Sequence, residues 1–355
     1  MILEKTRILK VTKNADTEED IQNLLFAADI IKKGGLVVFP TETVYGLGAN
    51  ALDEDAAKKI YEAKGRPQNN PLIIHLDNKA DIGKFCETDG VYGLDKLESL
   101  MPAPLTVILP AKEIVPRTVT GGLDTVAVRV PTSAVARKLI EFSGCPIAAP
   151  SANLSGKPSP TSVSHVLEDM DGRVDVIIDG GDSEVGLEST IVTLCEEVPT
   201  LLRPGGITYE MLCELLGEVH LSRAVLESLK PGDKVLSPGM MYKHYAPDKP
   251  VVLLKGDREK ALAFVNEKID GRIAVICYDE DEALINNARV LSAGKRSDNS
   301  EYASKLFALL RDTNSIEADT VFAFLPEDTS GISLAIYNRL LRAAGFNVID
   351  FSEEN

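Results

Sequence analysis

At 355 residues, with 44% hydrophobic and 26% charged side chains, the chain lies in the globular range and is too long for one ordinary core. A net charge of −16 excludes a broad electrostatic grip on nucleic acid, and the lack of Trp with only 5% aromatics excludes an extended platform for stacking bases. No apolar run reaches the ~18–20 residues of a membrane span and no signal peptide is visible. The five cysteines (Cys86, Cys145, Cys195, Cys213 and Cys277) show no zinc or CxxC spacing, so they read as small buried thiols of a reducing, cytoplasmic protein.

In chain order, residues 17–33 predict a helix capped by Thr17, with Ile21, Leu24, Leu25, Ala28 and Ile31 on one face. A strand over 36–39 then ends at Pro40. The run Thr41-Glu42-Thr43-Val44-Tyr45-Gly46-Leu47-Gly48 follows, and its hydroxyls and glycines read as a strand end that admits a ligand. A helix over 53–63, capped by Asp53, leads to Lys64-Gly65-Arg66-Pro67. Strands follow at 71–76, 104–109, 126–130, 146–149, 174–178 and 189–194, with helices at 95–101, 133–143, 161–170 and 208–217. Several strands follow one another without a helix between them, so the first domain is α/β with a mixed, twisted sheet.

Pro231-Gly232, Ser237-Pro238-Gly239, Pro247 and Pro250 punctuate a linker. Beyond it the pattern restarts, with strands at 251–254, 273–277, 289–291 and 320–325 and helices at 257–268, 299–312 and 331–344. That alternation predicts a smaller, Rossmann-like parallel α/β domain. The expected division is 1–231, a linker over 232–249, and 250–355.

The polar groups that stand out are cationic and hydroxylic. Lys64 and Arg66 on a Gly-Pro turn suit either phosphate oxygens or a helix C-terminus. Arg129 inside the apolar strand Val126–Val130 requires a partner. That partner is either an internal carboxylate or the carboxylate of a substrate. Pro150-Ser151-Ala152-Asn153-Leu154-Ser155-Gly156 is a second strand-end loop of the same chemistry, and Glu188-Ser189-Thr190 and Arg203-Pro204-Gly205-Gly206 add to it. Glu42 reads as a general base or as a turn residue. His75 lies on an apolar strand, and the four histidines are too dispersed for a metal site. No Walker A loop and no GxSxG elbow occur. An inventory without an acid–base pair suits catalysis by positioning and charge stabilisation at a phosphoryl centre.

Taken together, Phe39 to Gly48, Lys64-Gly65-Arg66-Pro67, Pro71 to His75, Val128-Arg129-Val130-Pro131, Ala149 to Gly156, Gly186 to Thr190, Leu202 to Gly205 and the linker from Ser237 to Pro247 resemble the YrdC-like family in its long, two-domain form. The resemblance implies an enzyme that makes L-threonylcarbamoyladenylate from L-threonine, bicarbonate or CO2, and ATP. Pyrophosphate is released, and the product feeds transferase proteins that modify tRNA. It implies threonine contacts from Thr41, His75, Arg129, Ser151 and Ser189. It implies ATP contacts from Lys64, Arg66, Thr125, Asn153, Thr161 and Arg203, with Lys64 and Arg66 central to catalysis. Tyr242, Lys243 and His244 would belong to a lid. Mg²⁺ is expected to accompany ATP as substrate, with no protein metal site. Met241 and Lys243 stand where the family commonly has Arg: Lys243 keeps the charge without the planar fork, and Met241 keeps neither.

Two other readings carry weight. A non-catalytic YrdC-like protein that binds RNA or the ribosome would have no use for the threonine set and conflicts with the charge. A carbamoyl transferase of metallocentre maturation would be expected to bring paired CxxC motifs.

Overall fold

The computed structural model describes residues 6–227, 244–267, 272–286 and 288–352. Among them two sheets form. The first contains β1 (Arg7–Lys10), β2 (Val37–Phe39), β3 (Gly46–Asn50), β4 (Ile73–His75), β5 (Leu105–Pro110), β6 (Thr125–Arg129), β7 (Ile147–Ala148), β8 (Val176–Asp179), β9 (Thr190–Thr193), β10 (Thr200–Arg203) and β11 (His220–Leu221), in the order β1-β8-β2-β3-β7-β4-β6-β5-β9-β10-β11. Parallel and antiparallel pairs alternate irregularly across it: β4 runs parallel to β6 and antiparallel to β7, and β5 runs antiparallel to β6 and parallel to β9. The expected mixed sheet is therefore present.

The period of two along each central strand divides the sheet into a packed face and a functional face. Leu72 and Ile74 of the β4 segment, Leu105, Val107 and Leu109 of β5, and Val126 and Val128 of β6 point into the main core. Their alternate neighbours point the other way. Ile73, Ile108, Ala127, Ile191 and Leu202 form a small apolar floor. On the same face, His75 stands opposite Arg129 and Arg129 opposite Thr106. The strands thus carry apolar residues at every position on one side and a polar set on the other.

Residues 46–50 correct the expectation of a loop after Phe39. They turn back as β3, antiparallel to β2, with Gly48 opposite Val37. A Cβ on Gly48 would lie 2.7 Å from Phe39 and 2.8 Å from Ile147. Gly48 is therefore required by the packing of neighbouring strands and not by a ligand. The short strands β1, β10 and β11 were not anticipated, because each has two to four residues and no clear alternation. The helix Glu18–Lys32 starts as expected: the Thr17 hydroxyl accepts from the Asp20 N–H, and the Asp20 carboxylate accepts from the Thr17 N–H.

The second sheet, β12 (Val251–Lys255), β13 (Ile273–Cys277), β14 (Arg289–Ser292), β15 (Thr320–Phe324) and β16 (Val348–Asp350), is parallel throughout, in the order β14-β13-β15-β12-β16. It matches the expected Rossmann-like unit, with β16 as an added edge strand. No helix among the described residues is long and apolar enough to cross a membrane.

The two sheets share a boundary rather than a tether. Val44 and Leu187 of the first unit join the core built on Tyr245, Tyr302, Phe307 and Ile336. Arg311 donates to Asp169 at 2.6 Å and to the Pro158 carbonyl at 2.6 Å. Gly186 has φ +72°, and a Cβ there would lie 2.3 Å from the backbone oxygen of Ser304 across the boundary. Gly186→Ala is therefore expected to destabilise the protein by about 1–3 kcal/mol, through backbone overlap plus a strained φ. Denaturant unfolding of the variant beside the unaltered protein measures this. An unchanged midpoint would show that the boundary is looser than described.

Candidate active site

The functional face of the first sheet forms the floor of a cavity of about 510 Å³, counting its open mouth. Thr41, His75, Arg129, Ser151 and Ser189, the five residues expected around an amino acid, all line it. Each is held by a different strand or strand end. His75 and Arg129 are register partners on β4 and β6. Ser151 bridges back to Gly46 of β3. Ser189 immediately precedes β9, and its hydroxyl is 2.7 Å from that of Thr106. The Thr41 hydroxyl donates to the Val44 carbonyl at 2.6 Å and accepts from the Thr43 and Val44 N–H groups, which folds residues 41–44 into a tight loop.

Arg129 pairs with Glu42: Nη2 donates to Oε1 at 2.6 Å, and both side chains are 5% exposed. Of the two alternatives for Arg129, the internal carboxylate is present, and the residue also lines the cavity. Its Nε and the second oxygen of Glu42 are buried without a protein partner. A buried guanidinium N–H of this kind calls for an acceptor.

Of the residues expected around ATP, Arg66 and Arg203 line the cavity. Arg66 donates to the carbonyls of Asn70 and Pro71, and Arg203 to the Ser189 carbonyl at 2.9 Å and hydroxyl at 3.1 Å. Burial lowers both guanidinium groups to about 10, which leaves them charged at neutral pH. Lys64 lies behind the wall. Its Nζ donates to the carbonyls of Ser151 and Asn153, each at 2.5 Å, and burial followed by Arg66 holds its pKa well below the ordinary value. Asn153 links Lys64 to the Ser151 hydroxyl. Thr125 and Thr161 do not line the cavity. Thr125 is half-buried at the start of β6, and the Thr161 hydroxyl faces the His165 ring at 3.5 Å.

His244 and Tyr245 complete the wall from the linker. Tyr245 is fully buried at φ +64°, edge-on to His244 at 4.0 Å and against Phe307 of the second unit at 5.1 Å. Burial lowers His244 to about 3, opposed by Glu188 and reinforced by Arg66, Lys64 and Arg203. Met241, Tyr242 and Lys243 lie outside the described residues.

Tyr245 and, behind the cavity, Arg339 are residues that the sequence did not single out, and Glu188 was noted only as a polar neighbour of Ser189 and Thr190. Glu188 lines the cavity as the carboxylate among its arginines. Its sequence signal was an acidic residue beside the hydroxyls of Ser189 and Thr190. Arg339 could have been found as a cation at a core position of an apolar helix. Among the described residues no group of three His, Cys, Asp or Glu side chains could hold a metal ion.

A mixed sheet that floors a cavity lined by three arginines and a ring of hydroxyls, closed by a parallel α/β unit, defines a two-domain protein of the YrdC-like class. A family model described as telomere recombination (Sua5–YciO–YrdC) matches residues 29–205, and one for the C-terminal domain of threonylcarbamoyl-AMP synthase matches residues 207–345. The threonylcarbamoyl-AMP synthase of Pyrococcus abyssi is 45% identical over 91% of this chain and 94% of its own. That of Bacillus subtilis is 44% identical over 91% of this chain and 93% of its own. The crystal structure of P. abyssi Sua5 complexed with L-threonine superposes with a TM-score of 0.88 at 42% identity, covering 97% of this chain and 99% of that one. The chain belongs to the Sua5–YciO–YrdC family, in its two-domain threonylcarbamoyl-AMP synthase form.

His75 is 3% exposed, and burial followed by Arg129 lowers it to about 3. The unfolded chain therefore takes up a proton below the ordinary histidine pKa that the folded chain refuses. Stability is present above about pH 6.5 and falls with decreasing pH, by about 1.4 kcal/mol per unit for this group. His75→Gln is expected to flatten part of that slope between about pH 6 and 4.5, read from denaturant midpoints. An unchanged slope would mean that His75 titrates normally in the folded protein.

Proposed function

We propose that the cavity is the site at which threonylcarbamoyl-AMP is formed, with L-threonine on the Thr41, His75, Arg129, Ser151 and Ser189 side and the ATP phosphates against Arg66 and Arg203. The observation that carries this is that one cavity gathers all five hydroxyl, imidazole and guanidinium groups suited to a hydroxy-amino acid, and sets two further arginines beside them. Arg129 suits the amino-acid carboxylate, because its Nε still lacks an acceptor. Lys64 acts through the Ser151 and Asn153 carbonyls that it holds. Thr125 and Thr161 stand outside this arrangement.

The threonine amine adds to CO2 with loss of a proton, or to bicarbonate with loss of water, to give a carbamate. A carbamate oxygen then attacks the α-phosphorus of ATP, and pyrophosphate leaves. Mg²⁺ arrives with ATP as part of the substrate. His75 is neutral at working pH, so it serves by hydrogen bonding and not by charge. The protein supplies orientation and fixed positive potential where phosphoryl oxygens gain charge. His244 and Tyr245 close the wall on the linker side, which limits hydrolysis of a labile adenylate. The product passes to tRNA-modifying transferase proteins in the cytoplasm. The described cysteines are all free, and burial pushes Cys86 and Cys277 up to about 12, which suits a reducing compartment.

Purified protein with ATP, L-threonine and bicarbonate is expected to release pyrophosphate only when threonine is present. Release independent of threonine would defeat the proposal, and RNA binding without release would favour the non-catalytic alternative. Arg129→Ala is expected to raise the threonine KM about tenfold to a hundredfold while moving the ATP KM far less. The opposite split would exchange the two sides of the cavity.

A further inference from the structure

Arg339 of the second unit touches the segments that carry two of the cavity residues. Arg339 lies on the helix Ser333–Ala343 and is 0% exposed. Its Nε donates to Glu188 Oε2 at 2.8 Å, and its Nη1 donates to the Pro204 carbonyl at 2.9 Å. Nη1 also donates to the Asn338 side chain at 2.9 Å, and the guanidinium lies 5.7 Å from the Tyr245 ring centroid. Glu188 is otherwise held by the Ser159 hydroxyl, which donates to Oε1 at 2.5 Å.

The two anchor points are the chain neighbours of two cavity residues. Glu188 precedes Ser189, and Pro204 follows Arg203. Those two residues are bonded to each other by both the Nε and Nη2 of Arg203. Arg339 therefore grips both backbones that carry the Ser189–Arg203 pair, from outside the domain that contains them. It does not line the cavity itself. We propose that Arg339 is a positioning residue for the reaction: by holding the Glu188 carboxylate and the Pro204 carbonyl, it fixes Ser189 on the threonine side and Arg203 on the phosphate side, so that the cleft is complete only when the second domain is docked.

This rests on the cavity being the synthase site. It assigns the second domain a defined part in catalysis, exerted on binding of both substrates at once. It also gives Glu188 a fixed charge state. Burial opposes its ionisation, but Arg339 and then Arg203, with the Ser159 hydroxyl, hold it down at about 2. Lys64, His244 and Tyr245 are the other titratable groups that interact with it across the cavity. Without Arg339, burial wins against the remaining cation, and the carboxyl group titrates in or near the working range. An ionised Glu188 that fixes Ser189 would then be lost as pH falls.

The test compares Arg339→Met with and without Glu188→Gln, in the full chain. Threonine-dependent pyrophosphate release is followed from about pH 6 to about pH 8.5. Arg339→Met is expected to raise the KM for both threonine and ATP. It should also introduce an acid limb, with kcat/KM about tenfold lower at the acid end, that the double variant lacks. Arg339→Lys keeps a charge and is expected to show a smaller limb. If Arg339→Met does not fold, Arg339→Lys with and without Glu188→Gln carries the same comparison. Parallel pH profiles for the single and double variants in either series, with the unaltered protein active, overturn the inference alone. An unaltered protein with no threonine-dependent release overturns the site reading and the inference with it.

Discussion

Everything in the first domain is arranged around four buried cations. Lys64, Arg66, Arg129 and Arg203 are each at most 8% exposed and converge on one side of one sheet. Each needs oxygen partners to be tolerated there. The protein supplies them in different ways: strand-end carbonyls for Lys64 and Arg66, a carboxylate for Arg129, a serine for Arg203. Several of these partners belong to the loops after Pro40 and Pro150, which explains why those loops are short, hydroxyl-rich and fully ordered against the sheet. The cations thus set the loop conformations before any substrate arrives. Burial, reinforced by neighbouring positive charge, keeps His75 and His244 neutral.

Such a site is preorganised at the expense of local stability. The guanidinium groups of Arg66, Arg129 and Arg203 already line the cavity, so an anion entering it meets fixed positive potential. Glu42 and Glu188 balance the field from opposite directions. Glu42 orients Arg129 from within the first domain. Glu188 is itself restrained by a cation from the second. The polar face of the sheet is therefore an electrostatic network that spans the domain boundary.

Much of this was legible in the sequence, for identifiable reasons. The long helices have caps and periodic apolar faces, and the parallel unit after Pro250 alternates cleanly. The mixed sheet followed from consecutive strands without helices. That Thr41, His75, Arg129, Ser151 and Ser189 come together was legible because they sit in short motifs at strand ends, where polar groups are conspicuous against apolar runs. The function of Gly48 was misjudged, since a glycine that admits Phe39 and one that admits a ligand look the same in one dimension. Lys64 was expected to face the ligand, but a cation next to a turn does not reveal which way its side chain leans. Glu188 and Arg339 lay beyond reach as a pair: they are 151 residues apart, and neither alone points to the other. Long-range pairing is decided by how the two units dock, and no local pattern encodes it.

The shared core at the boundary bears on how the chain is made. Val44 and Leu187 belong to an apolar cluster whose other members, from Tyr245 to Ala343, are all later in the sequence. On a ribosome the first sheet can assemble while that half is still being synthesised, yet these two side chains then face water. The nascent first domain therefore carries a sticky patch beside its active cleft until the last helix emerges. Its protection from aggregation during synthesis falls to chaperones or to the speed of elongation, and a stall within the second half would leave the patch exposed for as long as the stall lasts.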